Sequence, residues 1–147
     1  MNKPNIIFQN NDFMVIDKPA GIEVMDLAEM INGKFKLERN GLVHRLDKDT
    51  SGLIVMAKNN STQNILQKLF KDREVLKKYI TLVYGNLKTY GEIEIDIARD
   101  AKRKKPMKVI TFNSPFKRGK LRNAISSWKV IQNYKFHNEL LSLVEFI

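Results

Sequence analysis

The sequence predicts an α+β fold in which a mixed, largely antiparallel sheet carries a few flanking helices. Segments that alternate between apolar and polar residues, as half-buried strands do, outnumber segments with helical periodicity. These strand-like segments also follow one another through short turns instead of alternating with helices, which argues against a doubly wound sheet. The chain has 147 residues, the length of one ordinary domain, and we expect a single domain over residues 1–147.

The first predicted elements are a hairpin and a short helix. Ile6–Phe8 and Phe13–Asp17 are apolar enough for two strands, and a polar turn separates them. The segment Lys18–Gly21 (KPAG) then breaks the chain. A helix is predicted over Asp26–Ile31, with Asp26 as its N-cap.

A buried strand and an amphipathic helix are predicted next. Gly52–Lys58 (GLIVMAK) is rich in β-branched and apolar residues, as buried strands are. Asn60 or Ser61 can cap a helix that runs to about Arg73. We expect the apolar residues of this helix to share its inner face: Ile65, Leu66, Leu69 and Phe70.

Four further segments alternate with a period of two residues, which is typical of strands. They are Val75–Tyr84, Gly91–Ile97, Asn123–Ile131 and Leu140–Ile147. Together with the hairpin, they account for the excess of strands over helices. The sheet is therefore expected to be built mainly from neighbours in sequence.

The composition excludes several classes of protein. No cysteine occurs, which excludes a disulfide scaffold, a cysteine nucleophile and any thiolate metal site. No segment approaches the ~20 apolar residues that span a bilayer, and the N-terminus does not resemble a signal peptide. We therefore expect a cytoplasmic protein with no membrane association.

The net charge of +10 is concentrated in one segment. Residues 99–122 contain ten basic side chains and one acid, Asp100, and so hold +9 of the +10. The basic residues are Arg99, Lys102, Arg103, Lys104, Lys105, Lys108, Lys117, Arg118, Lys120 and Arg122. A local excess of this kind favours a polyanionic partner, nucleic acid first. A merely solvated basic loop is the alternative.

A dense polar cluster lies between apolar flanks in residues 41–58, which read GLVHRLDKDTSGLIVMAK. If residues 43–47 are extended, Arg45 and Asp47 point to the same side. Lys48 follows directly, so Asp47 lies in a positive field that favours its ionised form. Asp47 is therefore a candidate nucleophile or base. A salt bridge between Arg45 and Asp47 that only ties the loop down is the other interpretation.

Two other kinds of site fit the polar cluster less well. A metal site built from His44, Asp47 and Asp49 has suitable ligand types, but the two adjacent cations oppose a metal ion. A Ser–His–Asp hydrolase using Ser51 lacks the strand–turn–helix elbow that such a serine needs. We therefore expect no metal site here.

These residues resemble a known family. His44–Leu53 (HRLDKDTSGL) matches the signature of the large-subunit type A family of pseudouridine synthases, which isomerise uridine to pseudouridine within RNA. Asp17–Ile22 (DKPAGI) is similar to the first motif of the family. Lys77 and Tyr79 fall where its lysine–tyrosine motif is expected. The likeness covers about residues 6–147.

The resemblance implies the pseudouridine synthase catalytic-domain fold, with Asp47 as the catalytic residue at the floor of an RNA-binding cleft. Tyr79 would stack on the target base, and Arg45 would take the space that a flipped nucleotide vacates. His44 and Lys77 are further substrate-binding candidates. The implied phosphate contacts are Arg99, Lys102, Arg103, Lys104, Lys105, Lys108, Lys120 and Arg122. The implied partner is ribosomal or transfer RNA, and no metal or organic cofactor is implied.

The sequence departs from the family pattern at both ends. It stops at Ile147, before the family's final motif, so a basic partner for Asp47 is expected to be missing. We expect Leu140–Ile147 to lie at an exposed sheet edge, through which the chain can self-associate. No accessory RNA-binding domain is expected before the catalytic domain.

Three functions therefore remain open from the sequence. The first is an RNA pseudouridine synthase, with the activity of this 147-residue form left open. The second is an RNA-binding module without catalysis. The third is a carboxylate-dependent hydrolase of a phosphate ester, which would need a divalent metal ion.

Overall fold

Two antiparallel sheets and two α-helices make up the part of the chain that the computed structural model describes, residues 5–32, 37–99, 107–110 and 120–147. The residue contacts divide the chain into two units, Met1–Val75 and Leu76–Ile147, each with its own sheet. The largely antiparallel α+β arrangement predicted from the sequence is confirmed. The strands form two sheets rather than one.

The first unit surrounds a small three-stranded sheet. Its elements are β1 (Asn5–Gln9), β2 (Phe13–Lys18), α1 (Val24–Asn32), a 3₁₀ segment (Glu38–Gly41), β3 (Gly52–Ala57) and α2 (Asn60–Lys71). The strand order is β1-β2-β3. The buried core joins one face of this sheet to α1 and to residues 42–46: Met14, Ile16, Val24, Leu27, Ala28, Leu42, Leu46, Ile54 and Met56. The loop that carries the polar cluster is therefore fixed to the sheet by its own apolar residues.

Both helices begin earlier than the sequence predicts. Asp26 lies in the first turn of α1 and is not its N-cap. The N-cap of α2 is Asn59, where Asn60 or Ser61 was expected. Asn59 is extended, which lets its side-chain oxygen accept a hydrogen bond of 2.8 Å from the Thr62 N–H.

The inner face of α2 is also rotated from the predicted one. Ile65 is 58% exposed, whereas Gln63 is buried and donates its amide N–H to the Glu38 carbonyl at 2.8 Å. Gln63, Leu66 and Phe70 lie three and four residues apart, so they share one face of the helix and Ile65 lies off it. A polar contact with the 3₁₀ segment therefore sets the orientation of α2.

The second unit is a five-stranded sheet. Its strands are β4 (Tyr79–Tyr84), β5 (Tyr90–Ala98), β6 (Lys108–Ile110), β7 (Arg122–Phe136) and β8 (Glu139–Phe146), in the order β4-β8-β7-β5-β6. The last strand is therefore internal, and the expectation that it forms an exposed edge is wrong. The reason is that β4 pairs with β8 from Tyr79↔Phe146 to Tyr84↔Leu141, while β7 pairs with its other side.

Two strand boundaries also differ from those predicted from the sequence periodicity. β4 begins at Tyr79 and not at Val75, because its partner β8 ends opposite Tyr79. β7 continues to Phe136, past the predicted end at Ile131, and a bulge between Val130 and Gln132 shifts its register. A bulge reverses which side chains face each side of a sheet, so the simple alternation ends there although the strand continues.

Candidate functional site

The polar loop, residues 43–51, connects the 3₁₀ segment to β3 and presents charged side chains to solvent. Leu42 bridges to Met56 of β3 just before the loop. Within the loop, Leu46 is buried while Arg45 and Asp47 on either side of it are exposed. The apolar residue thus anchors the loop and turns its two charged neighbours outward.

Arg45 and Asp47 lie side by side, as the sequence predicts. The guanidinium Nη2 is 3.4 Å from the Asp47 Oδ1, and the two side chains are 74% and 86% exposed. Water screens a pair this exposed, so it adds little to stability. Both groups are accessible to a ligand, and Asp47 has a basic neighbour from its own motif.

Lys18 is hydrogen-bonded to the polar loop and to the turn after β2. Its side chain is completely buried, and its ammonium donates to the carbonyls of Pro19, Ile22 and Lys48 at 2.9, 2.8 and 2.9 Å. These three acceptors satisfy all three donors of the ammonium. The Gly21 N–H also donates to the Lys48 carbonyl, at 2.9 Å. These hydrogen bonds therefore connect the turn after β2 to Lys48, the residue that follows Asp47.

Lys18 was not among the predicted site residues, although the sequence carries a signal for it. Met14, Ile16 and Lys18 are spaced by two along β2, and all three are buried. A lysine that continues the buried face of a strand needs several acceptors, because an unpaired buried charge is costly. That requirement indicates a structural lysine at the end of β2.

His44 contacts the body of the first unit. Its ring Nε2 accepts a hydrogen bond from the Val55 N–H of β3 at 2.9 Å. The ring also stacks on Phe70 of α2, with centroids 4.4 Å apart and an angle of 16°. His44 therefore connects the polar loop to β3 and α2. The substrate-binding role expected for it stays a prediction.

A cavity of about 150 Å³ lies beside the polar loop at the start of α1. Its lining residues are Glu23, Val24, Met25, Arg39, Leu42, Arg45, Leu46 and Lys48. Val24, Leu42 and Leu46 are buried and form an apolar floor, whereas the charged residues are exposed. Three cations and one carboxylate border this cavity.

The turn before the loop has an unusual backbone. Arg39 and Asn40 have positive φ angles of 50° and 54°, a left-handed conformation that few non-glycine residues adopt. Gly41 follows with φ 79°, and a Cβ there would collide with the Ala57 carbonyl oxygen. The Leu42 N–H closes the turn by donating to the Arg39 carbonyl at 3.1 Å. Arg39 is therefore held in one backbone conformation.

Tyr79 and Lys77 belong to the second unit. Tyr79 is paired with Phe146 and Phe146 with Trp128, so the three rings lie on one face of the sheet. Tyr79 is 41% exposed, and the Trp128 and Phe146 rings are 6.2 Å apart. The Trp128 indole covers Gly91, where a Cβ would collide with the ring. Lys77 precedes β4 and is exposed.

The basic segment is described only in part. Arg99, Lys108, Lys120 and Arg122 are exposed, whereas Lys102, Arg103, Lys104 and Lys105 lie outside the described residues. Lys108 pairs with Ala98, and Arg122 pairs with Ile97. Because successive strand residues face opposite sides, Lys108 and Arg122 point to opposite faces of the sheet.

Within residues 5–32, 37–99, 107–110 and 120–147, no three His, Asp or Glu side chains are grouped as metal ligands would be. Neither of the α-helices among these residues has the length and apolar character needed to cross a membrane.

Comparison with known proteins gives one consistent family. A family model described as RNA pseudouridylate synthase matches residues 12–145. The ribosomal large subunit pseudouridine synthase D of Buchnera aphidicola subsp. Acyrthosiphon pisum is 32% identical over an aligned length of 154 residues. The match covers 96% of this chain and 46% of that protein. The protein of the same name from Neisseria meningitidis serogroup B is 32% identical over 146 residues, covering 91% and 37%. The chain spans less than half the length of these two relatives.

The fold is also found among solved structures. The human protein RNA Pseudouridylate Synthase Domain Containing 1 matches with a TM-score of 0.79 and 22% sequence identity. The match covers 97% of this chain and 58% of the human chain. At this identity the likeness concerns the fold alone.

Proposed function

Because this chain belongs to the RNA pseudouridylate synthase family, we propose that it is an RNA pseudouridine synthase, an isomerase whose catalytic residue is Asp47. One observation carries the proposal. The Asp47 carboxylate is 86% exposed on a loop whose next residue is bonded to a buried lysine and to the Gly21 N–H. A reactive group on a fixed loop meets the need for accessibility and for defined orientation.

The proposed reaction is an isomerisation and needs no second reactant. The bond between uracil N1 and ribose C1′ breaks, the uracil turns, and a bond between C5 and C1′ forms. A proton leaves C5 and another is gained at N1, so the atoms balance. The carboxylate of Asp47 can add to C1′, add to C6 of uracil, or abstract a proton from the sugar to give a glycal. Each route needs an accessible carboxylate.

The other site residues have supporting roles in this proposal. The target base must leave its stack before a side chain can reach its glycosidic bond. Arg45, adjacent to Asp47, would occupy the space that the base vacates. Tyr79 offers an aromatic face for the target base. Lys77 and the basic segment bind phosphates. The chain acts as a single catalytic domain over residues 1–147.

Ribosomal RNA is the substrate that we favour over transfer RNA. The support is the name of the relatives, ribosomal large subunit pseudouridine synthase D. A cytoplasmic location belongs to the same proposal and agrees with a chain that has no cysteine.

Release of tritium from C5-labelled uridine tests the proposal, because the C5 proton is lost only when the carbon–carbon bond forms. The full chain is incubated with large-subunit ribosomal RNA transcribed in vitro with that label. Asp47→Asn keeps the shape of the side chain and removes its charge, and we expect at least a ~10²-fold lower rate. Asp49→Asn, a neighbouring exposed carboxylate, is the control and should retain activity.

Three outcomes would contradict the proposal. Near-normal tritium release by Asp47→Asn would remove Asp47 from the catalytic role. Tight RNA binding by the wild-type chain without any release would favour the RNA-binding module. Activity that persists in a chelator is expected, and loss of activity with EDTA would favour the metal-dependent hydrolase.

A further inference from the structure

We propose that the cavity bordered by Arg39, Arg45 and Lys48 binds one phosphodiester of the RNA chain that carries the target uridine. The inference rests on the proposed function in taking RNA as the ligand and Asp47 as the catalytic residue. It concerns other residues than those of the basic segment 99–122, to which the sequence assigned the phosphate contacts.

Charge and shape support an anion in this cavity. Three cations and the carboxylate of Glu23 border it, an excess of two positive charges, which the Asp47 carboxylate 3.4 Å from Arg45 reduces to one. The floor consists of Val24, Leu42 and Leu46, all buried. The cations are exposed at the rim, so water screens the attraction of each one for an anion, and binding depends on several cations acting on one phosphate.

The cations are mounted on backbone that is already fixed. The carbonyl of Lys48 accepts hydrogen bonds from Lys18 and Gly21, both at 2.9 Å. Arg45 lies between His44, which is bonded to β3, and the buried Leu46. Fixing a binding residue before the ligand arrives reduces the entropy lost on binding.

The backbone around Arg39 is fixed as well. Its carbonyl closes the turn to Leu42 at 3.1 Å, and the carbonyl of the preceding residue, Glu38, is bonded to the buried Gln63. The left-handed conformation of Arg39 belongs to this turn. Two segments, the turn at Arg39 and the polar loop with Arg45 and Lys48, thus bring cations on fixed backbone to one cavity.

The position next to Asp47 indicates which phosphate binds. Arg45 lines the cavity and is also 3.4 Å from the Asp47 carboxylate. A phosphate held against Arg45 therefore belongs to the target nucleotide or to its immediate neighbour. Binding at this position would align the target ribose with Asp47.

Binding of a short single-stranded RNA to variants of the full chain tests the inference. Arg39→Asn removes the charge with a residue that tolerates a positive φ, and Lys48→Gln removes the second charge. Lys71→Gln removes an exposed cation at the end of α2, outside the cavity, and is the matched control. Dissociation constants are measured by fluorescence anisotropy of the labelled RNA at several salt concentrations.

We expect each cavity variant to weaken binding roughly three- to tenfold, with a shallower salt dependence, while Lys71→Gln binds as the wild type does. Arg39→Lys keeps the charge and should restore most of the affinity. Because Arg39 and Lys48 hold the same phosphate, the loss of affinity in the double variant should differ from the product of the two single losses. Losses no larger than that of Lys71→Gln, or two losses that multiply, would overturn the inference.

A second measurement distinguishes RNA from free phosphate. Inorganic phosphate, added at constant ionic strength, is followed by amide NMR at Met25, Leu42 and Lys48. Shifts at these amides together with reduced RNA affinity in the variants support the inference. Shifts without any effect of the variants on RNA binding would identify a site for free phosphate and overturn it.

The result is separable from that of the proposed function. If the cavity variants bind RNA weakly but the wild-type chain forms no pseudouridine, the phosphate site is supported and the proposed function is excluded. If the wild type forms pseudouridine but the cavity variants bind RNA as Lys71→Gln does, the proposed function stands and the phosphate site is excluded.

Discussion

The ammonium of Lys18 donates a hydrogen bond of 2.9 Å to the carbonyl of Lys48, thirty residues along the chain and immediately after Asp47. The same ammonium is completely buried and also donates to Pro19 and Ile22. A hydrogen bond that satisfies a buried charge therefore also positions the candidate catalytic loop. Stability of the first unit and orientation of Asp47 depend on one side chain.

Lys18→Met is expected to lower the free energy of unfolding by about 2–5 kcal/mol, because it leaves three carbonyls without their buried donor. Urea titration of the wild-type and variant chains measures the change. Lys71→Met, at an exposed position on α2, should change it by no more than about 0.5 kcal/mol. A Lys18→Met chain as stable as this control would show that the three hydrogen bonds have no net effect.

We predict that His44 positions the polar loop, which is an alternative to the substrate-binding role predicted from the sequence. His44→Ala removes the acceptor for the Val55 N–H and the ring that stacks on Phe70, so the loop loses two attachments. In the proposed pseudouridine-forming reaction, kcat should fall while KM changes little. His44→Gln restores an acceptor and should recover part of kcat.

The opposite kinetic pattern would support the role predicted from the sequence. A raised KM with an unchanged kcat for His44→Ala would mean that His44 binds the substrate directly. Phe70→Leu is the second probe, because it removes the stacking partner without touching the loop. It should reproduce part of the kcat loss, and wild-type kinetics for this variant would exclude a contribution from the stack.

Tyr79→Ala is expected to weaken RNA binding by about 1–3 kcal/mol, the usual contribution of a base stacked on an aromatic ring. Tyr79→Phe keeps the ring and should bind as the wild type does. Tyr84→Ala is the control, since Tyr84 is exposed on the opposite face of the same strand. Equal dissociation constants for the wild type and Tyr79→Ala, measured by anisotropy with circular dichroism as the fold check, would refute the stacking role.

The basic segment is expected to increase RNA affinity by neutralising additional phosphates. Replacing Lys102, Arg103, Lys104 and Lys105 together by Gln should reduce the slope of log K against log salt by ~0.7 for each phosphate of single-stranded RNA that is no longer neutralised. The double variant Lys68→Gln with Lys71→Gln, on α2, removes two charges and shows how much each lost charge changes the slope outside the basic segment. An unchanged slope in the quadruple variant would mean that these four side chains are only solvated.

Local patterns in the sequence determined most of the elements of this protein. Alternation along residues 91–97 and 140–146 predicted β5 and β8, and the apolar run after Ser51 predicted β3. The proximity of Arg45 and Asp47 also followed from a spacing of two residues. These features depend on residues close in sequence, where the geometry of the backbone limits the alternatives.

Tertiary structure alone decided which distant groups meet. The internal position of β8 depends on β4, a strand from much earlier in the chain, through the pairing of Tyr79 with Phe146. The burial of Gln63 depends on a carbonyl 25 residues away, and the anchoring of the polar loop depends on Lys18, 30 residues away. Periodicity reports which side chains share a face, but it does not identify the partner of that face. The physical reason is that a buried polar group is stabilised only by the acceptors and donors that folding brings to it.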